Sequence, residues 1–297
     1  MWKCSFAASN TKNMKLFFVF ILNALFISAR AQIDTSGPVD NRFIRTVVQI
    51  KNDSGFGTGF LIKAGNRVFL ATNKHMLGEW SPVDHLILYD SILVTFYTSS
   101  QPHPTVTMHV KLKENGKQLS KVVLHPNGKI DIGIVELSGE LIGKPLDNNY
   151  IDTGRLMSMR IAASFITYGS HVFTIGYPAG IKSFRTNEPI VKSAFLASSM
   201  DEDLIVQQNW KNRRGQYQLV LSEGKIFLLD GLIIPGNSGG PVISNQSVEW
   251  REINGELKHL THVKNFVLGI VSNSFSSTGI TTVFSSEHIL ELIRKYR

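Results

Sequence analysis

Short apolar runs separated by turn residues fill most of the chain after residue 42. The first series is Phe43–Ile50, Gly57–Lys63, Arg67–Thr72, Leu86–Tyr97, Val106–Lys113, Lys121–His125 and Asp131–Leu137. These runs are rich in Val, Ile, Phe and Thr, and their length and spacing predict strands of an all-β barrel or sandwich. Asn52-Asp53-Ser54-Gly55 and Pro126-Asn127-Gly128 supply the turn chemistry between them. From Ser138 to Ser164 the pattern weakens, as expected of a linker. A second series follows at His171–Tyr177, Ile190–Ala197, Tyr217–Leu221, Lys225–Leu232, Pro241–Ser244, Phe266–Ser272 and Ile280–Phe284. The chain ends differently. Ser286 is placed to cap a helix with Ile289, Leu290, Ile293 and Tyr296 on one face. Glu287 at its start and Arg294, Lys295 and Arg297 at its end suit the helix dipole. The pattern therefore predicts two β units, residues 43–165 and 166–297, closed by one terminal helix.

The first residues follow another rule. Met14-Lys15 precedes an apolar run, Leu16 to Ser28, which ends in Ala29-Arg30-Ala31. A basic start, a short apolar stretch and an Ala-x-Ala end are the marks of a secretory signal peptide. The run is short for a membrane span, which needs about 20 residues. Residues 1–31 are thus expected to be removed, with Met14 a candidate start and residues 32–42 a polar leader. No stable membrane insertion is expected after cleavage, and the expected location is secreted or periplasmic.

This removal changes what the composition means. The whole chain has a formal net charge of +8, from 31 Lys+Arg against 23 Asp+Glu. Without Lys3, Lys12, Lys15 and Arg30 the counts become 27 and 23, a charge of +4. That gives little ground for a nucleic-acid partner. The single cysteine, Cys4, leaves with the same segment. The remaining chain then has no thiol for disulfides, zinc clusters or nucleophilic chemistry, and nothing in it calls for a metal or organic cofactor. Stability must come from an apolar core.

One stretch stands out against this background. In Ile233-Ile234-Pro235-Gly236-Asn237-Ser238-Gly239-Gly240-Pro241-Val242 a lone serine sits in a glycine-rich turn between apolar residues. Glycine there lets backbone approach a reacting group closely. A serine hydroxyl is a weak nucleophile and needs a base, an orienting acid and amide donors for the developing charge. Of nine histidines, His75 stands at the end of the apolar run Val68 to Thr72, which would hold an imidazole in a fixed direction. Asp131 opens the run Asp131-Ile132-Gly133-Ile134-Val135 and is placed either as a turn residue or as the acceptor that fixes a histidine tautomer.

The order His75, Asp131, Ser238 is the order of chymotrypsin-type triads. Gly57-Thr58-Gly59-Phe60-Leu61, Thr72-Asn73-Lys74-His75, Asp131-Ile132-Gly133-Ile134-Val135 and Gly236-Asn237-Ser238-Gly239-Gly240-Pro241 together resemble the signature blocks of chymotrypsin-fold serine proteases. The likeness is to the bacterial trypsin-like and HtrA-like branch, and it covers residues 43–297. It implies two six-stranded antiparallel β-barrels and polypeptide substrates. It also implies Ser238 as nucleophile, His75 as base and then acid, Asp131 as the residue orienting His75, and the Gly236 and Ser238 amides as oxyanion hole. The same likeness puts Leu232, Ile233, Ser272, Asn273, Ser274 and Gly279 around the pocket for the substrate side chain. None of these is acidic, so an apolar or small P1 residue is expected.

Departures from the family carry information as well. Asn237 stands where zymogen-activated relatives have Asp, and an uncharged carboxamide cannot pair with a new N-terminus. Lys74 replaces a usually small residue. No PDZ-sized segment follows the peptidase region. Two rival readings remain to be weighed. Gly236-x-Ser238-x-Gly240 also fits the nucleophile elbow of α/β-hydrolases, but that fold wants a helix after the serine and a later acid, and no Asp follows Asp230. A silent or partner-activated two-barrel binding module is the more serious rival, since fold alone does not grant activity.

Overall fold

The alternation of apolar and polar residues resolves into two antiparallel sheets. In the computed structural model, the structure describes residues 39–80, 86–98, 105–142, 150–183, 186–200, 202–211, 217–245, 248–253, 256–262, 265–275 and 278–296. The expected export segment lies outside them, and Pro38–Arg297 forms one compact unit. The main strands are β1 (Val47–Asn52), β2 (Gly55–Ala64), β3 (Arg67–Thr72), β4 (Ser91–Tyr97), β5 (Thr105–Lys111), β6 (Val122–Leu124), β7 (Gly133–Glu136) and β8 (Ile151–Asp152). They are followed by β9 (His171–Gly176), β10 (Ile190–Leu196), β11 (Ile226–Asp230), β12 (Pro241–Ser244), β13 (Val267–Phe275) and β14 (Ile280–Ser285).

The second group closes into a barrel in the order β9-β10-β11-β14-β13-β12, a six-stranded barrel as the resemblance implies. The first group is a sheet in the order β6-β7-β3-β2-β1-β4-β5, with β8 added parallel to β2. It differs from the expected barrel in having an open seam between β5 and β6. The chain crosses that seam in a tight two-stranded turn, where Leu112 accepts from the Leu119 amide at 3.0 Å. Strand β6 is only three residues long and pairs only with β7. Side chains still fill the interior as in a barrel: Val48, Ile50, Leu61, Leu70, Ile92, Val94, Phe96, Val110, Leu112 and Val135 form one buried cluster.

Strand periodicity explains how the two sheets join. Along β2, Leu61 faces the interior of its own sheet, whereas Phe60 and Ile62 belong to a second cluster with Phe173, Ile175, Tyr177, Ile243 and Ile270. Along β3, Leu70 takes the first face and Phe69 and Ala71 the second. Successive strand residues face opposite sides, so a slip of one residue would exchange the two cores. A third cluster, including Val172, Leu196, Phe227, Leu229, Val242 and Val283, fills the closed barrel.

Two local expectations are corrected. The run at Phe43 opens as a helix, Asn41–Thr46, because the Asp40 carboxylate accepts from the Arg42 amide at 2.9 Å and starts a helical turn. The strand begins only at Val47. The C-terminal helix spans Glu287–Lys295 as expected, but Ser286 does not cap it with its side chain. The Ser286 hydroxyl donates instead to the Met157 carbonyl at 2.6 Å, which ties the helix start to the 153–166 connection. Ile289, Leu292 and Ile293 anchor the helix in the cluster between the sheets, with Leu290 and Tyr296 packed against it. Among the described residues no helix is long and apolar enough to cross a membrane.

Candidate active site

The end of β3 and the start of β7 lie side by side, with Thr72 opposite Gly133. The residue that follows β3, Asn73, is fully buried and donates through its side chain to the Asp131 carbonyl at 2.8 Å. One helical turn, Lys74–Leu77, then starts from the Asn73 N-cap and carries His75 back over Asp131. The carboxylate of Asp131 receives the His75 backbone amide on Oδ1 at 3.1 Å and meets the ring Nδ1 with Oδ2 at 2.6 Å. A carboxylate placed there fixes the proton on Nδ1 and leaves Nε2 as the basic nitrogen. Both side chains are mostly buried, at 16% and 12% exposure. Water thus competes little for their hydrogen bond.

Ser272 joins this pair from β13. Its hydroxyl donates to Asp131 Oδ2 at 3.1 Å, and its carbonyl accepts the Ser238 hydroxyl at 2.8 Å. One residue therefore links the acid on one sheet to the serine on the other. Before the Ser238 proton can pass to an imidazole, the hydroxyl must release that carbonyl.

The turn that presents Ser238 is held peptide by peptide. The Pro235 carbonyl accepts from the Ala179 amide at 2.7 Å, and the Asn237 carbonyl accepts from the Gly240 amide at 2.8 Å. In a trans peptide the N–H points opposite the C=O. The Gly236 and Ser238 amides are therefore turned away from these two contacts, and among the described residues neither donates to a backbone carbonyl. Glycine is required twice here. Gly236 has φ +101°, and a Cβ at Gly239 (φ +86°) would lie 2.0 Å from the Thr58 carbonyl oxygen. Asn237 is buried, its carboxamide donating to the Ile234 carbonyl at 3.2 Å.

The expected pocket residues fall in different surroundings. Ile233 is buried in the barrel core with Leu229 and Val271, whereas Leu232 is 58% exposed. Ser272 is buried against Asp131. Asn273 lines a small cavity with His75, Trp80, Lys129 and Ser222. Ser274 lies beside Thr281, whose hydroxyl is 3.2 Å from the Ser274 hydroxyl and 3.3 Å from the Gly231 carbonyl. Gly279 sits in the adjoining turn, its carbonyl accepting from the Gly231 amide at 3.1 Å.

Two groups near the site carry perturbed charges. Lys74 is 3% exposed, and its ammonium donates to the Asn127 carbonyl at 2.8 Å and lies over the Trp80 ring. Burial pulls its pKa down to about 8, against the opposing pull of Asp131. His125 and His288 flank Glu291, at 3.2 and 3.3 Å, and burial lowers the pKa of both rings. The three residues offer ligand atoms within 4.8 Å of one another, as a metal site would. His125 Nδ1, however, accepts the Asn127 amide at 3.3 Å, which puts its proton on Nε2, the edge facing Glu291. A metal would need that edge bare and the other protonated. The hydrogen bonds describe a His–Glu–His clasp between the 125–131 loop and the C-terminal helix.

Sequence reasoning placed His75, Asp131 and Ser238 but gave no part to Asn73, gave Ser272 only a pocket wall, and quoted Thr58 without a role. The signal for them is three-dimensional: each acts on a residue far away in the chain.

A family described as a trypsin-like peptidase domain matches residues 57–249. Similar solved structures include the Rv3671c protease in its inactive form (18% identity, 89% of this chain and 96% of that chain, TM-score 0.47). The same protease from M. tuberculosis in its active form is also similar (18% identity, 89% and 87%, TM-score 0.45). A third is the HtrA-type protease AlgW with a tripeptide (16% identity, 86% and 61%, TM-score 0.46). No curated protein matches the chain. With most of its length covered by the family match, this chain belongs to the trypsin-like peptidase domain family.

Proposed function

We propose that the chain is an exported serine endopeptidase, secreted or periplasmic, that cleaves polypeptides through an acyl-enzyme. Ser238 attacks the scissile carbonyl, His75 takes and returns the proton, and Asp131 holds the imidazole and offsets its charge. The Gly236 and Ser238 amides receive the oxyanion. The observation that carries this reading is the chain of contacts from His75 Nδ1 to Asp131 (2.6 Å), from Asp131 to the Ser272 hydroxyl (3.1 Å) and from the Ser272 carbonyl to Ser238 (2.8 Å). The export signal read in residues 1–31 supports the location. The buried, locally bonded Asn237 supports a site formed without pairing to a new N-terminus.

The pocket favours a small or apolar P1 residue. Thr281 joins Gly231 to Ser274, and none of the expected pocket residues, Leu232, Ile233, Ser272, Asn273, Ser274 and Gly279, offers a carboxylate to a basic side chain. A peptide library should be cut after small or apolar residues, and a clear preference for Arg or Lys would overturn this part.

A partner-activated form is the second reading, favoured by the Ser238 hydroxyl resting on the Ser272 carbonyl. Kinetics of labelling by a fluorophosphonate separate the two. The direct reading expects wild-type residues 32–297 to label, His75→Ala to label about 10³-fold more slowly, and Ser238→Ala not at all. Folded wild type that stays unlabelled supports the partner-activated form, and labelling that survives Ser238→Ala removes the mechanism.

A further inference from the structure

Thr58 is fully buried in β2, on the first sheet, yet two of its hydrogen bonds reach the loop that presents Ser238. Its hydroxyl donates to the Gly236 carbonyl at 2.6 Å and accepts from the Tyr177 amide at 3.1 Å. An amide N–H only donates, so the one hydroxyl proton is committed to Gly236. The Thr58 amide donates to the Ser238 carbonyl at 2.9 Å, and its own carbonyl accepts the Thr72 hydroxyl at 2.7 Å. Every polar group of this residue is used. Two of its bonds hold the carbonyls on either side of Asn237.

Gly236 is the weak point of that loop. A glycine at φ +101° has no side chain to resist rotation of the peptides beside it. The peptide before it is pinned by the Ala179 amide on the Pro235 carbonyl, at 2.7 Å. The peptide after it is held by the Thr58 hydroxyl on the Gly236 carbonyl. With both planes fixed, the Gly236 amide cannot swing out of line with the Ser238 amide.

We infer that Thr58 is a positioning residue for the oxyanion hole, its hydroxyl locking the Gly236–Asn237 peptide, which lies between the two donor amides, from the opposite sheet. The inference rests on the protease reading above and deepens it. It makes the donor geometry depend on contact between the two sheets, so that any loosening of β2 against the loop weakens transition-state stabilisation before it disturbs His75 and Asp131.

The test compares Thr58→Val, which keeps the shape and removes the hydroxyl, with Thr58→Ser, which keeps the hydroxyl and removes a methyl. Wild type and both variants are measured for fluorophosphonate inactivation rate across pH, for thermal unfolding, and for amide hydrogen exchange in the segment 233–240. Thr58→Val should slow inactivation by about 10–100-fold, part of the loss seen when an oxyanion donor is removed outright. The pH midpoint of inactivation should not move, and exchange in the segment should rise. Thr58→Ser should keep the rate within about threefold even where its thermal stability falls. Rates that follow thermal stability in both variants, or a Thr58→Val variant with wild-type rate, would overturn the inference. If wild type itself fails to label, the direct reading gives way to the partner-activated form, independently of Thr58. Exchange then decides the case for Thr58: protection lost in Thr58→Val and kept in Thr58→Ser upholds the lock, and unchanged protection refutes it.

Discussion

Lys74 precedes His75 and buries an ammonium group beside the Asp131 loop. Desolvation makes that charge costly, so its pKa in the folded protein, about 8, lies below the value of about 10.4 expected in the unfolded chain. Between these values the unfolded chain binds more protons, and stability therefore rises with pH across that window. Denaturant unfolding at pH 7.5 and pH 10 should show wild type gaining on Lys74→Met as the pH rises. A constant gap between the two proteins would mean the ammonium is solvated. The same residue shows a limit of sequence reading. Lys74 is visible as an unusual neighbour of the histidine, but its carbonyl partner at Asn127 is visible only once the loop has folded back.

At the scale of elements, the proposed triad depends on how the 125–131 loop is held. Lys74 grips it from the helical turn, Asn73 from the end of β3, and the His125–Glu291–His288 clasp from the C-terminal helix. Burial lowers the pKa of both clasp histidines, with Glu291 opposing, and Lys225, Glu287 and Lys74 are the other charges that face them. Their folded pKa values lie below the unfolded value near 6.5. The clasp thus contributes stability above pH 6.5 that is lost as the pH falls through the lower folded values. Chemical unfolding between pH 7 and pH 5 should show a steeper loss for wild type than for His288→Gln. Equal slopes would show that the clasp does not titrate.

At the scale of the whole molecule, much of the architecture was legible because strand periodicity is a local property. The bounds of Arg67–Thr72 and Pro241–Ser244 were read directly, since apolar runs there are cut off by Asn, Gly and Pro. The helix at Asn41–Thr46 was missed because Phe43, Ile44 and Thr46 have strand-like side chains, and the Asp40 cap outweighs that weak preference. The open seam between β5 and β6 was illegible because closure depends on pairing between distant strands. His75, Asp131 and Ser238 were proposed from residue type, spacing and order. Asn73, Ser272 and Thr58 escaped because their contacts reach 58, 141 and 178 residues along the chain.

The central claim is that Ser238 is the nucleophile, and locating a covalent adduct tests it most directly. Wild-type residues 32–297 would be treated with a fluorophosphonate, digested and mapped by mass spectrometry. The account predicts the phosphonyl group on Ser238, in the peptide carrying Pro235-Gly236-Asn237-Ser238-Gly239-Gly240. An adduct on any other residue of the folded protein would contradict it.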